Sequence, residues 1–256
     1  MDTCFIPFKT ELSPTLIPHQ LNSPFDLITP EICKIAAREL QEFITKNQAA
    51  WKHNFGLTSE KEGTVKGKMF GVLVVKDSAE RIGYLCTFSG KMADEPHHPL
   101  FVPSLFDIAT NNYFINTGMV ELTGIGNKIK ELESTNDLAE IELLKEERKT
   151  KSALLQQQLF ESYNFMNEEG KHKNVCAIFE NTAAKTPPSG AGECAAPKLL
   201  HYAFKHKMQP LAIAEFWWGK SSPSGDKQHG HFYPACTDKC LPILNYMLGG
   251  KPEAQN

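Results

Sequence analysis

No stretch of this chain approaches the roughly 18 consecutive apolar residues of a membrane-spanning helix, and the opening MDTCFIPFKTELSP has no basic segment followed by an apolar run. Neither a membrane span nor a secretory leader is indicated, and the expected location is the cytoplasm. An excess of one charge sign is also missing. With 27 basic against 30 acidic residues the net charge is -3, so nothing in the overall balance points to nucleic acid or to an anionic membrane. Any RNA contact has to come from a local patch. Low-complexity segments and internal repeats are absent. Cysteine occurs seven times, an odd number, and without a leader this favours reduced thiols, some of them metal ligands, over a disulfide framework.

What is present suffices for a packed core: 256 residues, 41% of them hydrophobic. Prolines at 7, 14, 18, 24 and 30 make residues 1–30 an extended arm laid on the surface. Thr29 and Pro30 then read as an N-cap and first helical residue, followed by Ile32, Ile35, Ala36, Leu40, Phe43 and Ile44 at helical spacing. The β-rich runs 68–76 and 81–89, split by the polar Asp77-Ser-Ala-Glu80, predict a hairpin. Residues 92–115 predict an irregular loop and a short helix. No proline occurs between Met119 and Met166, where mixed charges and an apolar stripe predict an inserted helical hairpin broken at 134–137. Further on, 173–179 reads as a short strand, 194–207 as a helix stopped by Pro210, 211–217 as a buried strand, and 234–248 as a loop entering a second helix. The expected fold is α/β: a small mixed sheet flanked by helices, with 31–118 and 167–256 forming one body and 119–166 inserted.

The chemistry-bearing residues cluster near the end of the sequence. Cys194 stands at a helix start, where free amides and the helix dipole favour thiolate. Some forty residues later, His229-Gly-His-Phe-Tyr-Pro-Ala-Cys236 and Cys240 supply two more thiols at another loop-to-helix junction. Cys194, Cys236 and Cys240 can converge on a tetrahedral Zn²⁺, with His231, His229 or water as the fourth ligand. The same residues also suit two small buried hydrophobes and one idle thiol. Lys198, His201, Lys205, His206 and Lys207, together with Trp217, Trp218 and Lys220, have the composition that grips a single RNA strand by phosphate contact and stacking. A solvated helix face above a core tryptophan pair is the alternative reading.

The order of ligand-bearing helix, strand, then helix with two cysteines resembles the core of zinc-dependent cytidine and nucleobase deaminases. Those enzymes place a proton-shuttling Glu two residues after the first ligand. Here Cys194 is followed by Ala195 and Ala196, the two later cysteines are separated by three residues instead of two, and only Glu193 or Glu215 remains as a substitute shuttle.

A second resemblance covers nearly the whole chain. Gly67-Lys-Met-Phe-Gly-Val-Leu-Val-Val75, Ile82-Gly-Tyr-Leu-Cys-Thr-Phe-Ser-Gly-Lys91, Phe101-Val-Pro-Ser-Leu-Phe-Asp107, Gly192-Glu-Cys-Ala-Ala-Pro-Lys-Leu-Leu200, Ala214-Glu-Phe-Trp-Trp-Gly219 and the 229–236 block are similar to the non-catalytic N-terminal extension of a bacterial subgroup of RluA-type RNA pseudouridine synthases. In that family the extension precedes a catalytic domain whose Asp, in a His-Arg-Leu-Asp motif, attacks the target uridine. No such motif occurs in this sequence, and the resemblance puts the start of that domain just after Leu248-Gly-Gly250. It implies a module of RNA modification that binds RNA or an RNA-modifying catalytic partner, without DNA specificity and without the isomerase site.

Overall fold

Along the chain the elements are β1 (Ile6–Pro7), α1 (Glu31–Asn47), β2 (Lys68–Lys76), β3 (Ile82–Phe88), α2 (Tyr113–Glu133), α3 (Leu138–Ser162), β4 (Asn164–Met166), β5 (His172–Asn174), α4 (Val175–Phe179), α5 (Ala195–Lys205), β6 (Gln209–Trp218), β7 (Phe232–Tyr233) and α6 (Thr237–Met247). They are those of a computed structural model that describes residues 4–58, 61–90, 92, 99–105, 113–133 and 137–250. None of the described helices is long and apolar enough to cross a membrane.

The predicted hairpin forms from β2 and β3, with Phe70 opposite Phe88 and Lys76 opposite Ile82. Its turn is tied by Asp77, whose Oδ1 accepts from the Ala79 and Arg81 amides at 2.9 Å while Oδ2 faces the Arg81 guanidinium at 2.6 Å. The long strand β6 lies on the other side of β2, and the five strands are ordered β1-β3-β2-β6-β7. Every neighbouring pair is antiparallel, which corrects the expectation of a mixed sheet. The reason is placement: β3 and β6 flank β2 instead of lying beside one another, so the crossover through α5 never produces a parallel pair.

β2 is apolar on both faces, and both faces are covered. Phe70, Val72 and Val74 share a core with Ile32, Ala36, Leu40 and Ile44 of α1. Leu73 and Val75 pack with Leu199, Leu200 and Ala203 of α5 and with Ile243, Leu244 and Met247 of α6. Gly71 lets α5 approach closely, since a β-carbon there would stand 2.8 Å from that of Ala195 and 3.0 Å from Leu199 Cδ1. This contact matters for the site, because Ala195 directly follows Cys194.

The N-terminal segment is more than a surface arm. Cys4 and Phe25 are buried, the Glu39 carboxylate accepts from the Lys9 and Thr10 amides, and Asn22 pairs with both the amide and the carbonyl of Ile213 on β6. α1 begins at Glu31 with Pro30 itself in the cap position, one residue later than the Thr29 cap predicts. The helical insertion runs from Tyr113 to Ser162, with Asp137 capping α3 through the Glu140 amide. Tyr163 and Phe165, assigned to the hairpin from sequence, are instead fully buried in the body.

Two local readings are corrected. Only Lys173 and Asn174 of the predicted 173–179 strand are extended, at the end of β5, because the Asn174 side chain accepts from the Cys176 amide and starts α4. Pro210 falls inside β6, at the register shift opposite Val75, where the bulge spares it a ladder donor. The short helix expected within 92–115 lies largely outside the described residues. Residues 99–105 close over the sheet: the Val102 amide donates to the Cys86 carbonyl and the Val102 carbonyl accepts from the Thr87 hydroxyl, both at 2.8 Å.

Candidate metal centre

The turn 190–192 sets up the first ligand. Gly190 and Gly192 have φ of 76° and 91°, conformations that suit glycine, and they turn the chain so that Cys194 becomes the N-cap of α5. Cys236 is in turn the N-cap of α6, and Cys240 follows one turn later. β6 brings the two helix starts together: its Glu215 accepts from the Ala196 amide at 2.9 Å and pairs across the sheet with Tyr233 of β7, which leads into α6.

The three cysteines converge. Their Sγ atoms all lie within 4.8 Å of one another, with Cys194–Cys236 at 4.0 Å and Cys236–Cys240 at 3.3 Å. A tetrahedral ion with metal–sulfur bonds of about 2.3 Å separates its sulfurs by roughly 3.8 Å, so the observed spacings bracket what coordination requires. The centre can therefore hold a thiophilic metal ion. Cys236 is exposed, which gives an ion a way in, whereas Cys240 is buried. The Cys194 and Cys240 thiols both stabilise the Cys236 thiolate and pull its pKa far down, while they themselves are pushed up.

Among the described residues no histidine or carboxylate joins the three sulfurs. His231, expected as the fourth ligand, stands opposite Trp217 at the sheet edge, its carbonyl accepting the Trp217 amide at 2.9 Å. His229 is engaged elsewhere: its Nδ1 accepts from the Gly219 amide, and its ring packs 4.3 Å from that of Trp218. A metal on these cysteines accordingly keeps one position that the described side chains do not fill.

Glu215 is the notable neighbour. It is buried, and burial raises its pKa from 4.5 to about 7 against the opposing hydrogen bond from Ala196. In chelator-treated protein this carboxyl favours folding below its unfolded pKa, and that contribution is lost as pH rises towards 7. Comparing unfolding midpoints of wild type and Glu215→Gln at pH 5 and pH 7.5 is expected to show a loss of roughly 2 kcal/mol in wild type that the variant escapes. Equal pH slopes would refute this assignment.

The residues expected to form one RNA-binding surface are separated. Lys198 is 2% exposed, donates to the Phe88 carbonyl, and sits 5.3 Å above the Phe88 ring. It is no surface phosphate contact. Its position one turn after Cys194 on α5 could be read from the sequence, but its burial depends on β3 lying beneath it. Lys205 and Lys207 are exposed at the far end of α5, where they line a cleft of about 880 Å³ with Asn22 and Glu168. Trp218 is buried on the α1 side of the sheet. Only Trp217, half-buried, and the exposed Lys220 lie at the metal end, joined by a 2.9 Å hydrogen bond from the indole to the Lys220 carbonyl.

Sequence reasoning missed two other groups there. Lys227 places its ammonium 4.0 Å from the centre of the Tyr233 ring. Tyr163 and Ser104 both donate to the Glu193 carboxylate, pinning the turn before Cys194. Tyr163 belongs to a segment read as helical, and Ser104 lies 89 residues from Glu193 in sequence, so no local pattern could have joined them.

Comparison of the chain with protein-family models, with curated proteins and with solved structures gives no match to any of them.

Proposed function

We propose that this chain is a zinc-bearing module of RNA modification, of the kind its sequence blocks resemble in RluA-type pseudouridine synthases. It holds RNA while a catalytic partner supplies the isomerase aspartate. The observation that carries this reading is the convergence of Cys194, Cys236 and Cys240, because Cys194 and Cys236 come from two separate blocks of that resemblance and Cys240 follows one helical turn after the second. Three thiols with no other assigned chemistry suit Zn²⁺ best among the common divalent ions. Around them, Trp217, Lys220, Lys227 and Tyr233 join cationic and aromatic groups at one end of the sheet, the combination that grips unpaired bases and phosphates.

The test is fluorescence anisotropy of a labelled RNA hairpin with a single-stranded loop, titrated with zinc-loaded protein at 150 mM salt and compared with a DNA of the same sequence. Saturable binding to the RNA, weakened about tenfold or more by Trp217→Ala, supports the reading, as one lost stacking platform costs about 1–3 kcal/mol. Equal affinity for DNA, or no binding, overturns it.

Glu215 favours a second reading, a deaminase-like enzyme acting on a nucleobase. When bound, zinc supplies Lewis acidity at its open position. The Glu215 carboxyl, raised to about 7 by burial, suits a group that takes up and returns a proton near neutral pH. Release of ammonia from cytidine, adenosine or single-stranded RNA, abolished in Glu215→Gln, is the expected signature. Ammonia release no greater than from zinc-stripped protein would exclude it.

A further inference from the structure

We infer that Cys236 and Cys240 form a peroxide-sensitive dithiol, in which the exposed Cys236 is oxidised first and Cys240 then closes a disulfide across the first turn of α6. The bond needs only the two sulfurs and hydrogen peroxide; that it also switches metal binding rests on the metal reading above.

Access separates Cys236 from the other thiols. Cys236 is exposed, Cys176 and Cys194 are half-buried, and Cys4, Cys33, Cys86 and Cys240 are buried. Cys4 and Cys86 lie under the 99–101 segment and donate to the Phe101 and Leu100 carbonyls at 3.6 and 3.7 Å. An oxidant in solution therefore meets Cys236 first, since susceptibility to oxidation rises with exposure.

Proximity then selects the second sulfur. The Cys240 Sγ is 3.3 Å from that of Cys236, whereas the Cys194 Sγ is 4.0 Å away. Cys236 is the N-cap of α6 and Cys240 lies one turn on, so side-chain rotation on a single helix joins them. Residues four apart on a helix have α-carbons roughly 6 Å apart, within the span of about 4.4–6.8 Å that a disulfide allows. Cys194 stands on another helix, held by the Glu215 hydrogen bond to Ala196 and by Ala195 against Gly71, and is the farther partner.

In the first step the Cys236 sulfur attacks one peroxide oxygen, the O–O bond breaks, and a sulfenic acid and water are formed. In the second the Cys240 sulfur attacks the sulfenic sulfur, the S–S bond forms, and the hydroxyl leaves with the thiol proton as water. The two thiols lose two electrons and two protons in all, and one hydrogen peroxide becomes two waters. The disulfide takes two of the three metal ligands, so an ion at the centre is released.

Treating zinc-loaded and chelator-treated full chain with a small excess of hydrogen peroxide, then digesting without reduction, tests this. Trypsin cuts after Lys198, Lys227 and Lys239, which leaves Cys194, Cys236 and Cys240 on three separate peptides. Mass spectrometry is expected to find residues 228–239 linked to the peptide that begins at Cys240, with two of the seven thiols lost. One zinc should be released per link, and dithiothreitol should restore the thiols. In Cys240→Ser a dimedone adduct on Cys236 should replace the link. A link from Cys236 to Cys194, a sulfinic acid on Cys236 with no link, or a Cys236 that stays reduced while free cysteine is oxidised overturns the inference. Zinc kept after the link has formed, or a link in chelator-treated protein only, overturns the switch. Wild type that holds no zinc yet forms the link overturns the metal reading and leaves the dithiol standing.

Discussion

Replacing Cys236 and Cys240 together with serine is expected to remove zinc from the protein and to lower its melting temperature by about 10 °C. A ligand bound only by the folded state stabilises it by about 4 kcal/mol at a thousand times its dissociation constant, and a chain of this size shifts by roughly 2–4 °C per kcal/mol. The effect is large here because the metal joins two helix starts 42 residues apart in sequence. Packing between α5 and α6, and the Glu215 hydrogen bond that ties α5 to β6, also act at that point. Part of the loss would come from burying a serine hydroxyl in place of the Cys240 thiol, so chelated wild type is the necessary comparison. Elemental analysis should find near-stoichiometric zinc in wild type and none in the variant, and chelation should bring the two melting curves within a few degrees. A metal-free wild type with unchanged melting in the variant would reduce the cysteines to buried thiols and sink the zinc assignment.

Phe70→Ala is expected to cost about 4 kcal/mol of folding stability without removing the metal. Phe70 is fully buried in the central strand, and its ring stands 5.8 Å from that of Phe216 in a stacked arrangement and within 6.0 Å of Phe55, Phe88 and Phe101. Truncating a buried phenylalanine costs about 3–5 kcal/mol through lost transfer energy and the cavity left behind. The four remaining rings, fixed by strands β3 and β6 and by two loops, cannot collapse into that space easily. The cavity opens on the α1 face of the sheet, whereas the cysteines lie on the other, so zinc content should remain near wild type while the urea midpoint falls. Loss of zinc with the same substitution would show that the two faces are mechanically coupled, against the separation argued here.

The contrast between these variants follows what could be read locally and what could not. The β2–β3 hairpin was legible because aliphatic runs on either side of Asp77 permit little else, and the Asp77 turn closes through its own neighbours. The helical character of α1, α3, α5 and α6 was legible from apolar spacing, and helix starts at Cys194 and Cys236 from the glycine and proline residues before them. Where the reading failed, a distant contact had prevailed. Pro210 lies in a strand because β2 offers a bulge opposite it. Tyr163 leaves the insertion because its hydroxyl reaches Glu193. Trp217 and Trp218, adjacent in sequence, are split onto opposite faces because strand residues alternate.

The sequence by itself determined the identity and local setting of the three thiols, each at or just inside a helix start. It also determined the apolar central strand that requires a layer on each side. Only the tertiary structure decided that the thiols meet, that Lys198 is enclosed against Phe88, that His231 does not join the thiols, and that the lysines of 205–207 lie at the far end of β6. The physical reason is range. Helix starts and turns are set by neighbours within a few residues, whereas the positions of Cys194 and Cys236 depend on β6 pairing with β2 and on a close glycine contact under α5, which nothing local encodes.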